Sequence, residues 1–224
     1  MRVDTAPLYR TEPAALHRDA VREIFWDTLI LGKPLQGILD NQDSYEELSI
    51  GWYLLPDNTG STVVIDNTTD DVVGYALVCT RPDDYAQWLR FQAWRVLRRN
   101  IFTFCSGRMS KLGRQFYSRR LLDSFTVVRS RQQHDSSSVA HVHMNLRSKN
   151  RTGSVALALL THVDTVCQDS GMTAWVGEVN ATEGTRMRAL ERLVGEVIDT
   201  KRNRTASFFS GLIVNRLTVR RSLF

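Results

Sequence analysis

No stretch of this 224-residue chain is apolar for long enough to cross a bilayer. The opening residues, Met1–Arg10, lack the basic-then-apolar pattern of a secretory leader. Cysteine is scarce: Cys79, Cys105 and Cys167 are odd in number and far apart. That count and spacing fit neither a disulfide framework nor a zinc motif, and predict buried, reduced thiols in a cytoplasmic protein that holds no metal. Internal repeats and low-complexity tracts are also missing, which excludes solenoids and disordered arrays. What remains is a single domain spanning residues 1–224. Its 42% hydrophobic and 24% charged residues are those of an ordinary globule with one well-buried core.

Acidic residues are rare in one place. Between Arg81 and Arg131 twelve arginines or lysines face three acids, so this segment carries +9 while the rest of the chain sums to −4. Within it Tyr85, Trp88, Leu89, Phe91, Trp94, Leu97 and Ile101 interleave with Arg90, Arg95, Arg98 and Arg99. That pattern predicts a helix over 83–105 with an aromatic and a cationic side, and a second basic helix over 111–123. Three readings of the segment stay open: a solvated helix face over a buried aromatic side, a dock for an acidic partner, or a binder of nucleic acid or of an anionic membrane surface. No nucleic-acid motif accompanies it.

Elsewhere the spacing predicts an amphipathic helix over 12–31, stopped by Gly32-Lys33-Pro34, and a shorter helix over Ser44–Leu55. STVVID (61–66) and VVGYALVC (72–79) read as a hairpin, and Arg129–Ser138 as a loop leading into a strand from Val139. A helix over 153–169, a strand over 173–180, a helix over 183–193 and strands over 195–201 and 207–219 follow. This order predicts an α+β fold with a crossover helix after the 139–146 strand.

That strand, VAHVHMNL, is the most informative stretch. His141 and His143 are two apart, so both point to one face. Arg151-Thr152-Gly153-Ser154-Val155-Ala156 then supplies small residues where a helix begins, and a helix start offers unpaired N–H groups and a favourable dipole to phosphate oxygens. A titratable pair beside an anion cradle points to group transfer from a phosphorylated donor.

On these residues the chain resembles the GNAT superfamily of acyl-CoA-dependent N-acetyltransferases, well over 139–219 and more weakly over 12–82, with 83–131 as an inserted basic helical segment. The family's pyrophosphate motif runs Arg or Gln, two residues, Gly, one residue, Gly or Ala. Here Arg151 and Ala156 match its ends, Ser154 stands for the first glycine, and Gly153 lies one place early. His141-Val142-His143-Met144-Asn145-Leu146 is similar to the His-x-His-(Ile/Met)-(Asn/Asp)-Leu strand of bacterial members related to the acetyltransferase-like domain of O-GlcNAc-processing enzymes. Arylalkylamine N-acetyltransferases carry a His-x-His pair there too, for proton removal from the amine.

The resemblance implies a GNAT fold, with a mixed, mostly antiparallel central sheet flanked by helices, and transfer of an acetyl or related acyl group from acetyl-CoA or another acyl-CoA to an amine of a small molecule or peptide. It implies that Arg151–Ala156 holds the pyrophosphate, that the backbone of Met144, Asn145 and Leu146 meets the pantetheine in a gap between splayed strands, and that Asn180 flanks it. His141 or His143 is then the base, with Glu178 as a further candidate acting through water. The family's helix tyrosine, the usual acid for the departing thiolate, is missing from Met187–Leu193. Tyr53, Tyr75 and Tyr117 are substitutes of equal rank; otherwise the thiolate departs unaided, or catalysis is lost. Two further functions stay open: a donor carried as a long chain on an acyl carrier protein, or a non-catalytic CoA- or partner-binding module.

Overall fold

The computed structural model describes residues 8–31, 35, 39–134, 137–182 and 186–224. In chain order the elements are β1 (Tyr9–Pro13), α1 (Arg18–Thr28), α2 (Gln42–Ile50), β2 (Thr62–Asp66), β3 (Val72–Cys79), α3 (Pro82–Cys105), α4 (Lys111–His134), β4 (Val139–Leu146), α5 (Gly153–Asp169), β5 (Ala174–Thr182), α6 (Arg186–Val194), β6 (Glu196–Arg202), α7 (Arg204–Ser210) and β7 (Val214–Ser222).

The strands form one sheet in the order β1-β2-β3-β4-β5-β7-β6. Every neighbouring pair is antiparallel except β4 and β5. A parallel pair needs a crossover, and α5 supplies it. The pairing of β4 with β5 is brief: Val139–Val142 lie beside Ala174–Gly177, and beyond that point the two strands part. Gly177 sits at the crotch, where a Cβ would come within 3.2 Å of the Val142 carbonyl oxygen.

Period-two alternation splits the buried side chains between two layers. Val63, Ile65, Tyr75, Leu77 and Cys79 face Ile24, Phe25, Tyr45, Tyr85 and Phe116 of the first four helices. Val64, Ala76, Val78, Ala140 and Val142 face Val155, Leu159, Leu160 and Val163 of α5 on the other side. His141 and His143, alternating with Ala140 and Val142, therefore belong to the layer under α1 and α3.

The hairpin, the helix over 153–169 and the parallel crossover match the expectations from sequence. Several others are corrected. Glu12 and Pro13 belong to β1, an edge strand (YRTEP) too polar to alternate visibly, and the first helix begins only at Arg18. The second helix starts after Asn41, which takes a left-handed φ of 54°, and gives way at Gly51 to a 3-10 turn. The basic helix from Lys111 runs on to His134, through most of the expected loop. Residues 207–210, expected in a strand, belong to α7, which Asn203 caps through its Oδ1 to the Ala206 N–H (2.9 Å) and Gly211 ends with φ 75°. Gly32-Lys33-Pro34 and 183–185 lie outside the described residues.

Cys79 and Cys167 are buried, and burial pushes the Cys167 thiol up to about 12. Cys105 departs from the expectation: it is exposed, because it falls near the end of α3, whose outward side also carries exposed Phe91, Trp94, Ile101 and Phe102. Among the described residues no helix is long and apolar enough to cross a membrane.

Candidate active site

The carboxyl ends of β4 and β5 frame the site. Their parting leaves the backbone of 144–146 beyond the reach of the β5 ladder, beside the start of α5. Each histidine meets a tyrosine there. Tyr53 Oη lies 2.5 Å from His141 Nδ1, and the Tyr85 ring of α3 stacks on the same imidazole at 5.7 Å and 16°. Tyr75 Oη lies 3.4 Å from His143 Nδ1, and the edge of Phe25 approaches that ring at 6.3 Å. When hydrogen resides on Nδ1, each imidazole donates to its phenol oxygen and leaves Nε2 unprotonated, able to accept a proton.

Asn145 shares this face. Its Nδ2 donates to Tyr75 Oη at 2.6 Å, so the side chain holds the tyrosine. Burial pushes the Tyr75 phenol well above its usual range, with the Asn145 bond opposing the shift, so the group stays protonated at neutral pH. Of the three tyrosines ranked equally from sequence, Tyr53 and Tyr75 are on the histidines. Tyr117 instead donates to the Asp40 carbonyl at 2.5 Å.

Met144 and Leu146 alternate to the α5 side, against the core there. The turn Ser148–Asn150 carries the chain directly into the cradle. Thr152 is the N-cap of α5: its hydroxyl accepts from the Val155 N–H at 3.5 Å and its carbonyl from the Ala156 N–H at 3.2 Å. Gly153 and Ser154, both exposed, open the helix, and their N–H groups have no preceding helical carbonyl to bond. Val155 is buried and anchors the helix start. Arg151 Nε lies 3.4 Å from the Leu146 carbonyl, which folds the side chain back towards the end of β4.

Glu178 and Asn180 sit on β5, on the histidine side of the sheet. A carboxylate oxygen of Glu178 lies 3.4 Å from Arg216 Nε of β7. Asn180 Oδ1 accepts from Asn203 Nδ2 at 2.8 Å, tying β5 to the start of α7. Sequence reasoning therefore brought the histidines, Asn145 and the cradle to one end of the sheet, with Glu178 on the neighbouring strand. It gave no place at the imidazoles to Phe25 and Tyr85, for which only the aromatic content of the flanking helices gave any signal. Among the described residues no cluster of His, Cys, Asp and Glu is arranged to hold a metal ion.

No family model matches this sequence, and a search of curated proteins found no match. Solved structures do match. SsHAT superposes with a TM-score of 0.58 at 16% identity, over 97% of this chain and 100% of its own. A GCN5-related N-acetyltransferase of Kribbella flavida superposes with a TM-score of 0.54 at 15% identity, over 96% of this chain and 98% of its own. A GNAT superfamily phosphinothricin acetyltransferase of Sinorhizobium meliloti, solved in complex with acetyl-CoA, gives 0.52 at 14% identity, over 97% and 89%. The chain has the GNAT fold: a seven-stranded, mostly antiparallel open sheet with one parallel, splayed pair.

Proposed function

We propose that this protein transfers an acetyl or related acyl group from coenzyme A to an amine of a small molecule or peptide. The observation that carries the reading is the juxtaposition, at one end of the sheet, of two tyrosine-held imidazoles, a splayed strand pair and a helix start whose first N–H groups lie outside the helical ladder. The residues present fit the donor: the N–H groups of Gly153 and Ser154, with Arg151, suit a pyrophosphate, and the backbone of Met144–Leu146 suits an amide-bearing arm. Acyl-CoA, when bound, supplies an activated thioester.

The chain's own groups do the rest. An amine is protonated at neutral pH and must lose a proton before it can attack. His141 or His143 takes that proton on Nε2, a role worth ~10²–10⁴ in rate. The imidazolium so formed is acid enough to protonate a thiolate whose conjugate acid has a pKa of ~8.5, so the absent helix tyrosine is not required. Tyr53 and Tyr75 hold the rings, and Tyr85 and Phe25 keep water from their faces.

The outward side of α3, with exposed Trp94 and Phe102 among Arg90, Arg95 and Arg98, favours a second reading, in which an acyl carrier protein docks there and presents a longer chain. Thiol release from acetyl-CoA over a panel of amines tests the first reading, and the same assay with carrier-bound long acyl donors tests the second. If no donor and no amine yields thiol while CoA still binds, the protein is a binding module.

The cradle gives its own expected result. Ser154→Glu puts a carboxylate where phosphate oxygens must sit and should weaken CoA binding by roughly tenfold or more, about 1.4 kcal/mol. Ser154→Gly, which creates the family residue, should stay within about threefold. Calorimetric titration with CoA reads both. Unchanged affinity in the Glu variant would put the pyrophosphate elsewhere.

A further inference from the structure

A second constellation lies beyond the histidines, under α4. Arg216 of β7 is 8% exposed, and Glu178 is the sole carboxylate within ion-pairing distance of it among the described residues, at 3.4 Å. Arg120 of α4 is close by: its guanidinium lies 5.7 Å from the Tyr45 ring, and its charge, after burial itself, pulls Arg216 below the usual guanidinium range. Among the described residues no carboxylate pairs with Arg120. The nearby Asp123 carboxylate is already committed, accepting from the N–H groups of Arg204 (3.1 Å) and Thr205 (2.9 Å) and from Thr205 Oγ1 (2.7 Å).

Tyr45, under the Arg120 guanidinium, is 3% exposed, and its buried hydroxyl has no hydrogen-bond partner among the described residues. A buried phenol O–H with no acceptor is unfavourable unless something answers it, and the buried Arg216 and half-buried Arg120 guanidinium groups carry N–H donors beyond the one 3.4 Å contact with Glu178. The missing complement is an anion with several acceptor oxygens. Two guanidinium forks and a hydroxyl make a donor set matched to a carboxylate.

The place of this set says what the anion is attached to. Tyr45 packs on Phe25, and Phe25 packs on His143, so the donors and the candidate base line one layer. Glu178 borders the parting of β4 and β5 and touches Arg216, so a positive and a negative group stand side by side next to the fork.

We propose that the acceptor is an amine that itself bears a carboxylate, an amino-acid-type zwitterion, with its carboxylate held by Arg216, Arg120 and Tyr45 Oη and its ammonium directed towards Glu178 and the histidine pair. This rests on the acyl-transfer reading for the amine, and on the arginine–tyrosine set alone for the carboxylate. Charge-assisted bonds of this kind are the strong ones, so the acceptor's carboxylate dominates recognition.

Binding tests the site without requiring turnover. The probes are the twenty proteinogenic amino acids, β-alanine and γ-aminobutyrate, each paired with its carboxamide and titrated by calorimetry in the presence of CoA. At least one acid should bind tighter than its amide by about 30-fold or more, and Arg216→Gln should collapse that ratio to within about threefold. Arg120→Gln, on a half-buried side chain that tolerates exchange better, should do the same if the Arg216 variant does not fold.

Tyr45→Phe keeps the ring packing and removes only the orphaned hydroxyl. It should weaken the acid by roughly tenfold while leaving the ligand-free melting temperature equal or higher. An amide that binds as tightly as its acid, a panel with no binder, or a preference that survives both arginine variants would overturn the proposal. Carboxylate-selective binding with no thiol release would leave this site standing and overturn the acyl-transfer reading instead.

Discussion

Replacing His141 and His143 together by alanine should lower acyl transfer by ~10²–10⁴ at saturating donor while CoA binding persists. Below the imidazole pKa the ring is protonated and cannot take the amine's proton, so the wild-type rate should rise with pH through a limb near neutrality. Among side chains only imidazole ordinarily titrates there. The double variant should lose that limb. Because both rings share a strand face, either can partly cover for the other, and each single variant should cost less than the pair. The two are not equivalent: His141 lies between Tyr53 and the stacked Tyr85, whereas His143 has the longer bond to Tyr75 and the edge of Phe25. The single variant with the larger loss identifies the working base. Full turnover with an unchanged limb in the double variant would move the search to Glu178. A melting curve run alongside separates lost chemistry from the cost of taking the imidazoles away from Tyr53 and Tyr75.

Asp123→Ala should be the most destabilising single exchange away from the apolar core. The side chain is 2% exposed and accepts three hydrogen bonds from the start of α7, two of them from backbone N–H groups that no helical carbonyl can reach. Removing it strands those donors in the interior, at a cost of about 3 kcal/mol or more. For a chain of this size that lowers the melting temperature by about 6–12 °C. Asp123→Asn, which keeps one acceptor oxygen, should recover part of the loss. A melting temperature within about 2 °C of wild type for the alanine variant would mean that Asn203 and packing alone hold α7.

Where local pattern and tertiary need agree, the sequence was legible. The β-branched runs at 61–66 and 72–79, the His-x-His strand and the 3.6-period helix after Arg151 declare themselves because each buries one face against the neighbour its own spacing selects. Residues 207–210 did not, since their apolar content suits a strand as well as a helix. The decision came from Asp123, some eighty residues earlier and invisible in any local window. The same holds for the site. The histidines and the cradle could be named because their chemistry and spacing lie within one short segment. Tyr53 and Tyr75 could be named but not ranked, because only the β3–β4 register brings Tyr75 to His143, only the folding of the turn after α2 over β4 brings Tyr53 to His141, and Tyr117 is sent to the Asp40 carbonyl. Arg120 and Arg216 looked like any of the chain's many arginines until the fold placed one over a phenol with no partner among the described residues and buried the other beside Glu178.

The sheet is in effect two half-sheets, β1–β4 and β5–β7, joined by a seam only four residue pairs long. Amides along that seam are the weakest link in an otherwise continuous ladder. Sub-global opening should pass through it, with hydrogen exchange of the amides that bond β4 to β5 along the seam running ahead of those that bond β5 to β7. A donor arm bonded along the open edge of β4 would lengthen the seam and couple the halves. Its binding would register as slowed exchange on both sides of the fork, and as a rise in unfolding free energy that grows with the logarithm of donor concentration.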